Sequence, residues 1–197
     1  MRNILFIFLG LLPLTVHAQD FTRPSMKTFS AKVANVRLAA DLLDKGKKME
    51  DMVSVKASAI IFSQPIQIPD ARKAKKYNQQ AIDTFVKYIS TCIDGTAADL
   101  TKFWVKSERS EQLALFSDPS ALKLTHEQFK DNPGVTIVGL IFKGQETIVL
   151  TRGVFTEPEY VLGVSLLRVD GNTFLTNITK EDLDLAIIEA SFLRSSK

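Results

Sequence analysis

The stretch GVTIVGLIFKGQETIVLTRG, residues 134–153, decides the fold class. Two runs rich in aliphatic and β-branched residues flank Gly144 and Gln145, a pair that suits a tight two-residue turn. We therefore predict a β-hairpin of strands 135–142 and 146–152. Its apolar residues fall on both faces, whereas a sheet with one wet face alternates apolar and polar residues. The pattern predicts that both faces of the sheet are covered.

The hairpin continues into an antiparallel meander. Segments 160–169 and 173–178 have the composition of strands, and Asp170-Gly171 between them favours a second tight turn. Thr179 and Asp182 then have the spacing of a capping box at the start of a last helix, which we expect to run through Phe192.

Helical periodicity dominates the chain before residue 134. The clearest element runs from Asp70 to about Ile93, with an apolar stripe at Ala74, Tyr77, Ala81, Phe85, Tyr88 and Cys92. Residues 30–45 also have the spacing of an amphipathic helix. Residues 49–62 fit either a strand or a helix, of which we favour the helix. Residues 63–69 contain two prolines and indicate a linker.

Shorter helices are indicated after Thr96, Ser107, Asp118 and Thr125. The predicted fold is therefore α+β, with N-terminal helices packed on a curved four-stranded antiparallel meander, followed by a C-terminal helix. Residues 19–197 have the length of a single domain with a complete core.

The N-terminal segment, residues 1–18, has the pattern of a secretory signal peptide. Arg2 precedes an apolar run from Ile4 to Leu14, and small residues Val16 and Ala18 occupy the positions that a signal peptidase reads. The run is about half of the roughly 20 residues that a membrane-spanning helix needs. We expect cleavage near Ala18, no membrane anchor, and a protein located in the periplasm or the extracellular medium.

Several kinds of chemistry lack the residues that they need. His126 is the one histidine after residue 18, and the chain has no CxxC, HExxH, GxSxG or glycine-rich phosphate loop. The net charge of +3 is too small to indicate a nucleic-acid partner. Cys92, the single cysteine, is expected to be an inert core residue. We predict no catalytic residues, no metal and no cofactor.

A two-residue turn at 144–145 would place Ile141 opposite Ile148, Gly139 opposite Leu150 and Ile137 opposite Arg152. If the next loop is symmetric, Tyr160, Leu162, Val164, Leu166 and Arg168 continue this first face. We predict that helix 70–93 covers it, leaving an apolar cleft with arginines at its rim. The alternative is that both arginines are solvated charges over apolar surface. The candidate ligand-binding residues are Tyr88, Trp104, Leu150, Arg152, Tyr160, Leu162 and Arg168.

The order of elements resembles the NTF2-like, or cystatin-like, α+β superfamily, in particular its small exported bacterial members. A long helix with shorter helices (AIDTFVKYISTCIDGTAADLTKFWV, 81–105) precedes a meander that ends in the hairpin VSLLRVDGNTFLTNI, 164–178. The resemblance spans about residues 70–178. It implies a cone-shaped sheet wrapped around helices, an internal pocket, and often a dimer formed through the outer face.

We therefore expect an exported, non-enzymatic binding or interaction protein that takes a small amphipathic or anionic ligand in the cleft. A lyase or isomerase of the NTF2-like kind is the alternative, for which Asp83, Tyr88 and Tyr160 are the nearest candidates. A third hypothesis is a homodimer or a protein partner bound through the outer sheet face. The lining of the cleft distinguishes among these hypotheses.

Overall fold

The computed structural model describes residues 23–68, 80–131, 134–153, 160–177 and 182–193. The predicted signal peptide lies outside these ranges, as does the first part of the predicted helix 70–93, residues 70–79.

The core of the fold is one six-stranded antiparallel sheet, in which every strand pairs with the next one along the chain. The strands are β1 (Ser25–Lys32), β2 (Met52–Gln67), β3 (Thr136–Lys143), β4 (Glu146–Arg152), β5 (Val161–Val169) and β6 (Asn172–Leu175). The four strands predicted after residue 134 are confirmed as β3 to β6, with small differences at their ends.

Six helices are described. They are α1 (Ala39–Leu43), α2 (Gln80–Asp94), α3 (Ala97–Thr101), α4 (Arg109–Ser117), α5 (Pro119–Asp131) and α6 (Leu183–Ala190). A 3₁₀ turn at Val33–Asn35 follows β1. The capping box predicted at Thr96 is confirmed, because its hydroxyl accepts from the Asp99 N–H while the Asp99 carboxylate accepts from the Thr96 N–H.

The predicted four-stranded meander with N-terminal helices is wrong, because the N-terminal region contributes two further strands. Residues 30–45 contain the end of β1 and only a short helix, and residues 49–62 lie mostly in β2. Val53, Val55, Ala57 and Ala59 alternate as a strand requires, and β2 pairs with β1 on one side and β3 on the other. This pairing outweighs the helical spacing that the same residues also satisfy.

Residues 63–67 continue β2 instead of forming the predicted linker. The pairing of β2 with β3 shifts register between Ile61 and Ile66, and Pro65 lies within this irregularity. A proline has no N–H to donate to a ladder, so a bulge is where a strand tolerates one.

Both predicted tight turns are confirmed. Phe142 pairs with Thr147 across Gly144-Gln145, and Val169 pairs with Asn172 across Asp170-Gly171. Gly144, Asp170 and Gly171 have φ values of 62°, 48° and 80°, which lie in the region that such turns need.

Helices cover both faces of the sheet, as the apolar pattern predicts. On the first, which we call the α2 face, α2 packs on β4 and β6, and Leu140, Val149 and Leu166 are fully buried in its core. On the second, the α6 face, α6 packs on β1, β2 and β5, and Leu185 and Ile188 join the strand residues Val138, Ile141, Ile148, Leu150 and Val161.

The predicted assignment of the two faces is wrong in part. Ile141, Ile148 and Leu150 lie under α6, whereas Val164 and Leu166 lie on the α2 face. The predicted symmetric loop would place Tyr160 on the same face as Arg152. In the structure Arg152 pairs with Val161, so the register of β5 differs from the predicted one by one residue. A shift of one residue moves every side chain of a strand to the opposite face. A second irregularity, between Ile137 and Gly139, places Ile137 opposite Thr151.

Gly139 is needed where β2 and β3 approach closely. A Cβ atom there would lie 2.7 Å from the Ile60 carbonyl oxygen and 2.8 Å from Ile61 Cδ1. We expect Gly139→Ala to lower the free energy of unfolding by roughly 1–3 kcal/mol, because the backbone of β2 must move. Urea denaturation measures the change. An unchanged stability would contradict this close approach.

Candidate functional site

The structure has a groove between the start of α2 and the sheet, which we call the α2 groove. Its volume is about 510 Å³, within the range of small-molecule sites. The floor is apolar and the rim is polar and cationic. The lining consists of Arg23, Pro24, Ile60, Gln80, Ala81, Phe142, Gly144, Gln145, Thr147, Leu166, Arg168 and Thr173.

Two hydrogen bonds position the walls of the α2 groove. The Gln80 side-chain amide donates to the Gly171 carbonyl at 2.8 Å, which connects α2 to the β5–β6 turn. The Arg168 N–H donates to the Gln145 carbonyl at 3.0 Å, which joins the β5–β6 hairpin to the β3–β4 turn. Both turns and the start of α2 are therefore held together around the groove.

The charged side chains in the described lining of the α2 groove are both cationic. Arg23 and Arg168 are both exposed, and no carboxylate belongs to the lining just given. Asp170 lines a neighbouring cavity of about 480 Å³, which shares Gly144, Gln145 and Arg168 with the groove. The groove therefore combines an apolar floor with a positive rim, an arrangement that suits a ligand with an apolar body and an anionic group.

A second, smaller cleft lies on the other side of the sheet, between α6, the start of β5 and the 3₁₀ turn. We call it the α6 cleft. Its volume is about 360 Å³. The lining is mostly apolar and consists of Ala34, Asn35, Val36, Arg37, Tyr160, Val161, Leu162, Ala186, Glu189, Ala190 and Leu193.

Glu189 is the buried charge of the α6 cleft, with 7% of its surface exposed. Its Oε2 accepts a hydrogen bond from Arg37 Nε at 2.8 Å, and its Oε1 accepts one from the Gly163 N–H at 2.9 Å. These partners compensate the cost of burying a carboxylate. They also attach α6 to both β5 and the connection between the 3₁₀ turn and α1.

The structure divides the predicted ligand-binding residues among separate places. Tyr160 and Leu162 lie together in the α6 cleft, and Arg168 lies at the rim of the α2 groove. Leu150 is fully buried under α6. Arg152 is half-buried at the end of β4, and its buried Nε has no hydrogen-bond partner in the described part of the chain.

Tyr88 and Trp104 lie together, but within the core of the α2 face. Their ring centroids are 6.3 Å apart at 89°, and Phe103 lies 5.7 Å from Tyr88. Burial raises the pKa of the Tyr88 phenol well above its usual value. Burial likewise raises the pKa of the Cys92 thiol to about 12, which agrees with the predicted inert core cysteine.

Sequence reasoning missed Arg23, Arg37 and Glu189. Arg37 and Glu189 are 152 residues apart in the chain, so no local pattern joins them. One signal was present, since Glu189 interrupts the otherwise apolar run Leu185–Ala190. A lone carboxylate in such a run needs a buried partner.

In the described ranges, no group of three or more His, Cys, Asp or Glu side chains is placed to hold a metal ion. The His126 ring Nε2 lies 2.9 Å from the Gly95 carbonyl oxygen, a contact between α5 and the end of α2.

Comparison with protein-family models, curated proteins and solved structures found no match to this chain. The resemblance to the NTF2-like superfamily therefore stays a prediction. Across the described residues, no helix combines the length and the apolar character needed to span a membrane.

Glu189→Ala tests the buried pair of the α6 cleft. We expect it to lower the free energy of unfolding by roughly 1–3 kcal/mol, because the Gly163 N–H loses its acceptor and Arg37 loses its partner. Glu127→Ala is the matched control, since Glu127 pairs with Lys123 at 3.6 Å on the surface. The control should change stability by less than about 0.5 kcal/mol. Equal effects in thermal or urea denaturation would contradict the structural role of Glu189.

Proposed function

We propose that this protein is an exported, non-enzymatic binding protein that takes a small amphipathic anion in the α2 groove. The observation that supports this function is the presence of both Arg23 and Arg168 in the lining of one groove with apolar residues, with no carboxylate in the described lining. Export rests on the signal-peptide pattern of residues 1–18.

Apolar contact and charge have different roles in this proposal. Burying about 100 Å² of ligand apolar surface against the partly exposed Ala81 and Phe142 would contribute about 2.5 kcal/mol. A contact between an exposed arginine and an anion contributes only about 0.2–1 kcal/mol. The floor therefore gives most of the affinity, and the arginines select the sign of the ligand's charge.

The lyase or isomerase alternative is supported by one observation, that Tyr160 and the buried Glu189 line the same cleft. Binding remains the better proposal because both oxygens of Glu189 already accept hydrogen bonds. On the α2 face, where the resemblance to the NTF2-like superfamily would imply an active site, Tyr88 packs against Phe103 and Trp104. A substrate whose binding depends on Glu189 and Tyr160 would favour the alternative.

Two fluorescent probes with the same rings separate charge from apolar contact. They are 8-anilinonaphthalene-1-sulfonate, which is anionic, and N-phenyl-1-naphthylamine, which is uncharged. We expect Arg23→Gln and Arg168→Gln each to weaken binding of the sulfonate about two- to fivefold, because each removes one cation from the rim. Binding of the uncharged probe should not change. Fluorescence titration measures both affinities.

Lys87→Gln is the matched control, because it removes one positive charge from an exposed position of α2 outside the groove lining. Thr173→Trp fills the groove from β6 and should abolish binding of both probes. If Lys87→Gln weakened sulfonate binding as much as Arg23→Gln and Arg168→Gln do, sulfonate affinity would depend on the net charge of the protein and not on the rim arginines. Unchanged binding of both probes in Thr173→Trp would place them elsewhere and contradict the proposal.

A further inference from the structure

Glu146 is a buried carboxyl group that neither cleft uses. It is the first residue of β4, and 7% of its surface is exposed. The Ser165 side chain hydrogen-bonds its carboxyl group. Its Oε1 is buried and has no hydrogen-bond partner among the described residues. A buried polar atom without a partner is costly and uncommon in a native structure.

The same region anchors the start of α6. Lys143, at the end of β3, donates a hydrogen bond from its ammonium group to Asp182 Oδ2 at 2.6 Å. Asp182 is the N-cap of α6, because its Oδ1 accepts from the Leu185 N–H at 3.2 Å. The anchor therefore connects the β3–β4 hairpin to the helix that covers the α6 face.

A single ammonium group, that of Lys143, interacts with several carboxylates in this region. Glu146, Asp182 and Asp184 all interact electrostatically with Lys143. Among the described residues, the groups that face Glu146 are Lys143 from β3, Ser165 from β5 and Asp182 from the start of α6. An ionised Glu146 would add a second negative charge beside Asp182, and Lys143 is the one cation of the described ranges that interacts with both.

We propose that Glu146 makes the docking of α6 sensitive to pH. When its carboxyl group is neutral, it stays buried and the Lys143 ammonium remains hydrogen-bonded to Asp182. When it ionises, it competes with Asp182 for the Lys143 ammonium and draws water toward a buried position, and the anchor at the start of α6 weakens.

The pKa values of Glu146 and Asp182 shift in opposite directions, so the proposed effect and acid unfolding occur in different pH ranges. Burial raises the pKa of Glu146 above its usual 4.5, so the neutral carboxyl stabilises the docked helix below that pH. This stabilisation is lost as pH rises through the raised pKa. The pKa of Asp182 is lowered from 3.8, because hydrogen bonds from Lys143 and Leu185 outweigh the opposing effect of burial. The contribution of Asp182 is lost only as pH falls below 3.8.

Weaker docking of α6 would expose apolar surface on one side of the sheet alone. Leu185 and Ile188 cover Ile141, Ile148 and Leu150. Ala186, Glu189 and Ala190 of α6 also line the α6 cleft. The α2 groove lies on the other side of the sheet and should not respond.

Hydrogen exchange of the full-length protein, followed by mass spectrometry from pH 4.5 to pH 8 and corrected for intrinsic rates, tests the proposal. We expect exchange of α6 to accelerate as pH rises, by up to about tenfold for each unit by which folding raises the Glu146 pKa. Exchange of α2 in the same molecule is the internal control and should stay constant. Glu146→Gln, which cannot ionise, should remove the acceleration.

Asp184→Asn is the matched variant, because Asp184 is exposed and its loss leaves Glu146 and the Lys143–Asp182 contact in place. It should keep the pH dependence. A wild-type protein in which α6 and α2 respond equally to pH would overturn the proposal, even if Glu146→Gln does not fold. The same pH dependence in Glu146→Gln and wild type would also overturn it.

Discussion

Both faces of the β-sheet are apolar, and the rest of the structure depends on covering them. Neighbouring residues of β3 alternate between two cores, with Ile137 and Leu140 on the α2 face and Val138 and Ile141 on the α6 face. A sheet with this much apolar surface is stable only when that surface is buried away from water. Helices α2 to α5 contribute to the core on one side, while α6, packed against residues 33–42, covers the other.

This arrangement leaves a small ligand room only where a covering layer ends. The α2 groove lies where α2 meets the tips of the β3–β4 and β5–β6 hairpins. The α6 cleft lies near the start of β5, at the other end of that strand and on the opposite face. The two differ in charge, since the groove has two arginines at its rim and the cleft holds the Arg37–Glu189 pair. We therefore propose the groove, and not the cleft, as the place where an anion binds.

The features predicted correctly from sequence have local causes. Gly144 and the Asp170-Gly171 pair specify their turns by backbone conformation, and Thr96 with Asp99 specifies a helix start within four residues. The features predicted wrongly depend on distant pairing. Residues of β2 satisfy helical and strand spacing at once, and only their partners in β1 and β3 decide between them.

The candidate site was predicted least well, because it depends on register. The register of β4 and β5 differs by one residue from the predicted one, so Leu150 and Leu166 lie on opposite faces of the sheet. The residues predicted to line a single cleft are therefore distributed over two faces. Arg168 was identified from its place at the end of an apolar strand, whereas Arg23 comes from a distant part of the sequence. Sequence periodicity cannot show that two residues are close when only the folded sheet brings them together.

The most direct measurement of the central claim is the amide NMR spectrum of the labelled protein, titrated with 8-anilinonaphthalene-1-sulfonate. With both sheet faces covered and the positive groove open, saturable shift changes should concentrate at the groove residues Gln80, Thr147, Arg168 and Thr173. Changes concentrated at Tyr160 and Ala190 of the α6 cleft, or the absence of saturable changes, would contradict the account.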